Sequence, residues 1–138
     1  MIERQACTRL KLLSRQFKAI AVTGPRQSGK TNLAKTVFPE KPYATLENPD
    51  TRRRALNDPR GFLADFPQGA ILDEIQQTPE LFSYLQEILD NTRETGLFIL
   101  TGSNNFLLQE SIGQSLAGRI AMLYLMPFHF GELQQEIS

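Results

Sequence analysis

Apolar side chains at Ala6, Leu10, Leu13 and Phe17 recur at spacings of three and four, with Lys and Arg between them. This spacing predicts a helix over residues 3–17. The pattern then changes period. Ala19-Ile20-Ala21-Val22-Thr23 is a continuous apolar run closed by Gly24-Pro25, which predicts a buried strand and a turn. From Gly29 to Val37 the helical period returns, with Leu33, Ala34 and Val37 on one face and Pro39 and Pro42 beyond. A short strand is expected over Tyr43–Leu46. Asn48-Pro49 and Asp58-Pro59 each read as a cap followed by proline at the first helical position.

Ala70-Ile71-Leu72 is a second buried strand, and it ends on two acids, Asp73-Glu74. Next, Leu81, Phe82, Leu85, Ile88 and Leu89 form the apolar stripe of a helix. Thr78 is expected to cap it, with Pro79 at its first position. Leu97–Leu100 predicts a third strand, closed by Thr101-Gly102-Ser103-Asn104, and Ile120–Leu125 a last one before Pro127. Near-continuous apolar strands alternating with helices predict an α/β fold, with a mainly parallel five-stranded sheet and helices on both faces. Right-handed crossovers then bring the segments that follow the strands to one carboxyl edge, where such sheets bind ligands.

The chain has 138 residues, 41% of them apolar, which suits one domain with a real core. Fifteen Lys and Arg balance fifteen Asp and Glu. Zero net charge speaks against a general nucleic-acid or membrane-surface binder. The basic cluster Arg52-Arg53-Arg54 with Arg60 can meet nucleic acid, but such runs are more often a solvated helix face. Cys7 is the sole cysteine and His129 the sole histidine, so an intrachain disulfide and a Cys- or His-rich metal centre are excluded. No apolar run approaches the ~20 residues of a membrane helix. Met1–Gln5 is not followed by a signal-peptide core, so the expected compartment is the cytoplasm.

The first polar cluster is chemically specific. Gly24-Pro25-Arg26-Gln27-Ser28-Gly29-Lys30-Thr31 matches G-x-x-x-x-G-K-[ST], between a strand and a helix as that motif requires. Glycines let the backbone wrap an anion with its N–H groups inward, and a helix start adds its positive end. Lys30 is placed for the outer phosphates of a nucleotide, and Thr31 offers a hydroxyl to Mg²⁺. Arg26 either touches phosphate or faces solvent. Asp73 is placed to hold a magnesium-bound water, and Glu74 to orient an attacking water. Ser103 and Asn104 either reach the γ-phosphate or form a plain turn. Arg119 is a cation that can neutralise phosphoryl charge, on its own nucleotide or a neighbouring subunit's.

Four blocks in order carry a family resemblance. They are Gly24–Thr31, Ile-Leu-Asp-Glu-Ile-Gln at 71–76, Leu-Thr-Gly-Ser-Asn at 100–104 and Ser-Leu-Ala-Gly-Arg at 115–119. The chain resembles bacterial and archaeal AAA-type ATPases that carry an uncharacterised domain after the ATPase core. The resemblance implies a P-loop fold with sheet order 5-1-4-3-2, with Lys30 and Thr31 as nucleotide and Mg²⁺ ligands. It also implies Asp73 and Glu74 as the acidic pair, Ser103 or Asn104 as the sensor, and Arg119 as an arginine finger in a homo-oligomer. Residues 1–138 are then one ATPase core, without the lid helices and following domain usual in the family. ATP and Mg²⁺ are the expected cofactors and Mg²⁺-dependent ATP hydrolysis the expected activity. A nucleotide-binding assembly switch is the alternative, and a small-molecule kinase a third reading for which no acceptor motif is visible.

Overall fold

The computed structural model describes residues 4–25, 29–103 and 120–125. Its elements run α1 (Arg4–Gln16), β1 (Ala19–Thr23), α2 (Lys30–Val37), β2 (Tyr43–Thr45), α3 (Pro49–Asn57) and α4 (Pro59–Ala64). They continue with β3 (Ala70–Asp73), a 3₁₀ turn (Ile75–Gln77), α5 (Leu81–Asp90), β4 (Phe98–Gly102) and β5 (Ile120–Tyr124). The five strands form one sheet in the order β2-β3-β4-β1-β5, and every pairing is parallel. This is the order that the resemblance implies.

The pleat of the central strands sorts their side chains into two cores. Ala19 and Ala21 of β1, Ala70 and Leu72 of β3, and Phe98 and Leu100 of β4 face one side. There they pack with Leu63 of α4 and with Phe82, Leu85 and Leu89 of α5. Ile20, Val22, Ile71 and Ile99 point to the other face, against Leu10 of α1 and Leu33 of α2. Period-two alternation is therefore hidden in the sequence, because both faces are covered and both need apolar residues. Each fully buried leucine of α5 contributes about 1.5–3 kcal/mol relative to exposure, which is what holds the helix on the sheet.

Both proline-led helix starts form as expected. The Asn48 side chain accepts from the Asp50 and Thr51 amides at 2.9 and 3.2 Å, and Asp58 accepts from Gly61 N–H at 3.1 Å. The start of α5 is a correction. The helix begins at Leu81, and Thr78 closes the preceding 3₁₀ turn, its amide donating to the Ile75 carbonyl at 3.0 Å. Its hydroxyl donates back to the Ile75 carbonyl at 3.4 Å, and the cap position of α5 is Glu80, which makes no side-chain cap hydrogen bond. The turn follows from a backbone reversal at Glu74, which the apolar pattern does not encode.

The expected basic cluster is neutralised locally. Arg53 pairs with Asp50, Arg54 with Asp65 and Arg60 with Glu87, while Arg52 donates to the Leu46 carbonyl. It is a solvated helix face. Among the described residues, no helix is long and apolar enough to cross a membrane. Residues 104–119 and those beyond 125 lie outside the described residues.

Candidate functional site

The pleat also builds the site. On the α2 side of the sheet, Ile71 is followed two residues later by Asp73, and Ile99 by Thr101. Leu72 and Leu100 are register partners, so Asp73 and Thr101 stand next along their two strands. Thr45 is the register partner of Asp73 on the opposite side. Thr31 lies in the first turn of α2, above the same edge. Four hydroxyls therefore converge on one carboxylate. Thr31 and Thr101 donate to Asp73 Oδ1 at 2.6 and 2.7 Å, and Thr45 and Tyr43 donate to Oδ2 at 2.9 and 3.0 Å. A carboxylate offers about four acceptor positions, so this one is saturated.

The electrostatics follow. Burial pushes the Asp73 carboxyl up, but the hydroxyl donations from Thr31, Thr101, Thr45 and Tyr43 outweigh it and hold the group below its ordinary value of 3.8. Burial pushes the Tyr43 phenol up, and the Asp73 charge and hydrogen bond push it further, to about 12. The Lys35 ammonium sits 3.9 Å above the centre of the Tyr43 ring.

The loop after β1 leads into α2 through Gly29, whose φ of 89° and ψ of 15° lie in the left-handed region. Glycine adopts this conformation without a Cβ penalty. Lys30 opens α2, is buried, and donates from Nζ to the Pro25 carbonyl at 2.8 Å, so its ammonium lies back across the loop. Gly24, Pro25 and Gly29 thus stand between β1 and α2, and Lys30 and Thr31 open α2, while Arg26, Gln27 and Ser28 lie outside the described residues.

Glu74 also adopts left-handed backbone, with φ 55° and ψ 50°. It is the one non-glycine residue with positive φ among those described. Its amide donates to Thr101 Oγ1 at 3.1 Å, and its carbonyl accepts from the Gln77 amide at 3.1 Å. Its carboxylate is held by Ser103, whose hydroxyl lies 2.9 Å from each oxygen, and by Gln76 Nε2 at 2.7 Å from Oε1. The expected convergence of the segments after β3 and β4 at one carboxyl edge is seen in the contact of Glu74 with Ser103. Asn104 and Arg119 lie outside the described residues.

Sequence reasoning missed Tyr43, Thr45, Thr101 and Gln76. A signal existed for the first two. In Tyr43-Ala44-Thr45-Leu46, period two puts both hydroxyls on one face of the expected strand, and that face is the one Asp73 shares.

The donor set fits a hard divalent cation. Thr31 and Asp73 bring a hydroxyl and a carboxylate oxygen together at the start of α2, and such oxygen pairs suit Mg²⁺ completed by phosphates and water. Among the described residues no cluster of His, Cys, Asp or Glu offers an all-protein cage.

Comparisons with known proteins agree on what this architecture is. The family model described as AAA domain matches residues 16–134. The uncharacterized proteins Mb2031c of Mycobacterium bovis and Rv2008c of Mycobacterium tuberculosis are each 34% identical over 128 residues. Those matches cover 91% of this chain and 29% of each relative, so the chain spans under a third of their length. Among solved structures, the P-loop NTPase domain of the sigma-54 transport activator from E. coli superposes with a TM-score of 0.57 at 17% identity. That match covers 91% of this chain and 94% of the E. coli chain, and it shows a common fold.

Proposed function

The chain belongs to the AAA domain family, and from that premise we propose that it binds ATP with Mg²⁺ and hydrolyses it. The observation that carries this reading is the contact of 2.6 Å between the Thr31 hydroxyl and Asp73, with Glu74 as the next residue. It joins the helix behind the phosphate loop to the acidic pair after β3, the two parts a hydrolytic site must bring together.

In this reading the amides of Gly24–Thr31 and the Lys30 ammonium hold the triphosphate. Lys30 exchanges its Pro25 carbonyl for phosphate oxygen, a stronger charge-assisted partner. Thr31 and Asp73 hold Mg²⁺, which when bound neutralises charge on the phosphate oxygens. Hydroxyl donation keeps Asp73 ionised in the neutral range, and the Thr31 donation to its Oδ1 gives way when the cation enters between them. Glu74 orients the attacking water once its oxygens turn from Ser103 and Gln76. Ser103, with Asn104, senses the γ-phosphate, and Arg119 serves as the arginine finger of a homo-oligomer in the cytoplasm.

One observation favours the second reading, a nucleotide-dependent assembly switch with negligible turnover. Both Glu74 oxygens already accept hydrogen bonds, and a carboxylate so engaged is poorly placed to polarise water. Phosphate release and nucleotide binding separate the two. Hydrolysis predicts release above background that Glu74→Gln abolishes while binding persists. Saturable binding without release at any protein concentration supports the switch, and release unchanged in Glu74→Gln overturns the assigned water-orienting role.

A further inference from the structure

Thr101 lies at the centre of the site, inside the Leu-Thr-Gly-Ser-Asn block, yet no role was assigned to it above. Its side chain is fully buried at the carboxyl end of β4. Its single hydroxyl uses both hydrogen-bonding capacities on the acidic pair, donating to Asp73 Oδ1 at 2.7 Å and accepting from the Glu74 amide at 3.1 Å. One oxygen on β4 therefore ties the side chain of one acid to the backbone of the next.

The backbone it holds is the strained one. An L residue in the left-handed region is disfavoured and persists only where its surroundings over-determine it. At Glu74 those surroundings are the Thr101 hydroxyl on the amide side and the Gln77 amide on the carbonyl side. An extended Glu74 would continue β3 and carry its side chain away from the face that Asp73 shares. The left-handed turn instead brings the Glu74 carboxylate to Ser103, across the end of β4.

We infer that Thr101 is a positioning residue whose hydroxyl locks Asp73 and Glu74 into one arrangement, so that the cation-side and water-side carboxylates are set together. The inference rests on the hydrolytic reading for its consequence, but the lock itself is a property of the nucleotide-free protein. Valine matches threonine in shape and lacks both hydrogen-bonding capacities. In Thr101→Val, Asp73 Oδ1 keeps only the Thr31 donation and the Glu74 amide loses its acceptor in a buried place. Serine keeps the hydroxyl.

The test compares the full chain with Thr101→Val and Thr101→Ser in two assays. The first is amide hydrogen exchange by NMR without nucleotide. The Glu74 amide is expected to exchange at least ~10-fold faster in Thr101→Val, Leu72 and Leu100 keeping their rates, and Thr101→Ser following the wild type. The second is steady-state phosphate release. Thr101→Val is expected to lower kcat at least ~10-fold with KM for ATP within ~3-fold, and Thr101→Ser to retain wild-type kcat within ~3-fold. A merely structural role would lower stability without that split. If Thr101→Val does not fold, Thr101→Ala takes its place, since it lacks the hydroxyl and needs less room. Unchanged Glu74 exchange in the hydroxyl-free variant, or Thr101→Ser as impaired as Thr101→Val, overturns the inference. Accelerated exchange in a protein that releases no phosphate upholds the lock and rejects hydrolysis, so the two failures are distinguishable.

Discussion

Two glycines with nearly equal backbone angles offer a controlled comparison, because substitution by alanine at each should cost very different amounts. Gly29 has φ 89° and Gly69 has φ 85°. Forcing alanine into the left-handed region costs roughly 1–2 kcal/mol at either site, less the ~0.4–1 kcal/mol gained by restricting the unfolded chain. At Gly29 no atom of the described residues lies within 4 Å of an added Cβ, so the net loss is about 0–1.6 kcal/mol. At Gly69 the added Cβ would lie 1.7 Å from the Leu97 carbonyl oxygen and 2.5 Å from its carbon. These are backbone atoms at the entry to β4, and the same oxygen accepts from Lys41 Nζ at 3.0 Å, so it cannot swing aside. Overpacking adds about 1–3 kcal/mol, bringing Gly69→Ala to about 1–5 kcal/mol, centred near 3. Urea denaturation followed by circular dichroism reads both, with an unchanged slope expected. Near 138 residues each kcal/mol moves Tm by about 3–5 °C, so Gly29→Ala should lower it by a few degrees and Gly69→Ala by roughly 10 °C or more. Gly29→Ala should still weaken ATP binding, because the left-handed turn aims the loop amides. Equal losses at the two sites, or a larger one at Gly29, would refute the reasoning.

Three further outcomes follow from the site and its frame. The Tyr43 phenolate should form only near pH 12, and in Asp73→Asn at lower pH, because burial and the adjacent carboxylate both oppose a second negative charge. Alkaline ultraviolet difference spectra referenced to Tyr43→Phe check this, and a Tyr43 titration indifferent to Asp73→Asn would contradict it. Asp73 lies below its ordinary 3.8 in the folded protein. Its ionisation therefore stabilises the fold above the unfolded value and ceases to do so as pH falls through the folded one. The urea midpoint should thus fall more steeply below about pH 4 in wild type than in Asp73→Asn. Asn48→Ala, which leaves the Asp50 and Thr51 amides without their side-chain acceptor, should cost about 1 kcal/mol in chemical denaturation and leave nucleotide affinity unchanged.

The architecture was legible because its signals are local. Buried runs such as Ala19–Thr23 and Phe98–Leu100, and the Asn48-Pro49 and Asp58-Pro59 starts, carry their own instructions. The sheet order does not, since it depends on contacts between distant strands, and it came from the family resemblance. Within the site, the phosphate loop and the Asp73-Glu74 pair were visible as a motif and as charges ending an apolar strand. Tyr43, Thr45 and Thr101 were not, because such residues are ordinary in strands and only the parallel register brings the hydroxyls of β2 and β4 onto one carboxylate of the strand between them. The left-handed Glu74 was likewise hidden. Its amide is held by Thr101, 27 residues away, and the 3₁₀ turn that follows it precedes α5, which starts later than Thr78-Pro79 suggested.

The central claim is that the loop from Gly24 to Thr31 grips a polyphosphate through its amides and Lys30. Isothermal titration of the full chain with ATP and Mg²⁺, alongside a Lys30→Ala variant shown to be folded by circular dichroism, tests it most directly. The account predicts saturable binding by the wild type and at least ~10-fold weaker binding by Lys30→Ala, since a charge-assisted phosphate contact is lost. Equal affinity in the two proteins, or no binding by the wild type, would contradict it.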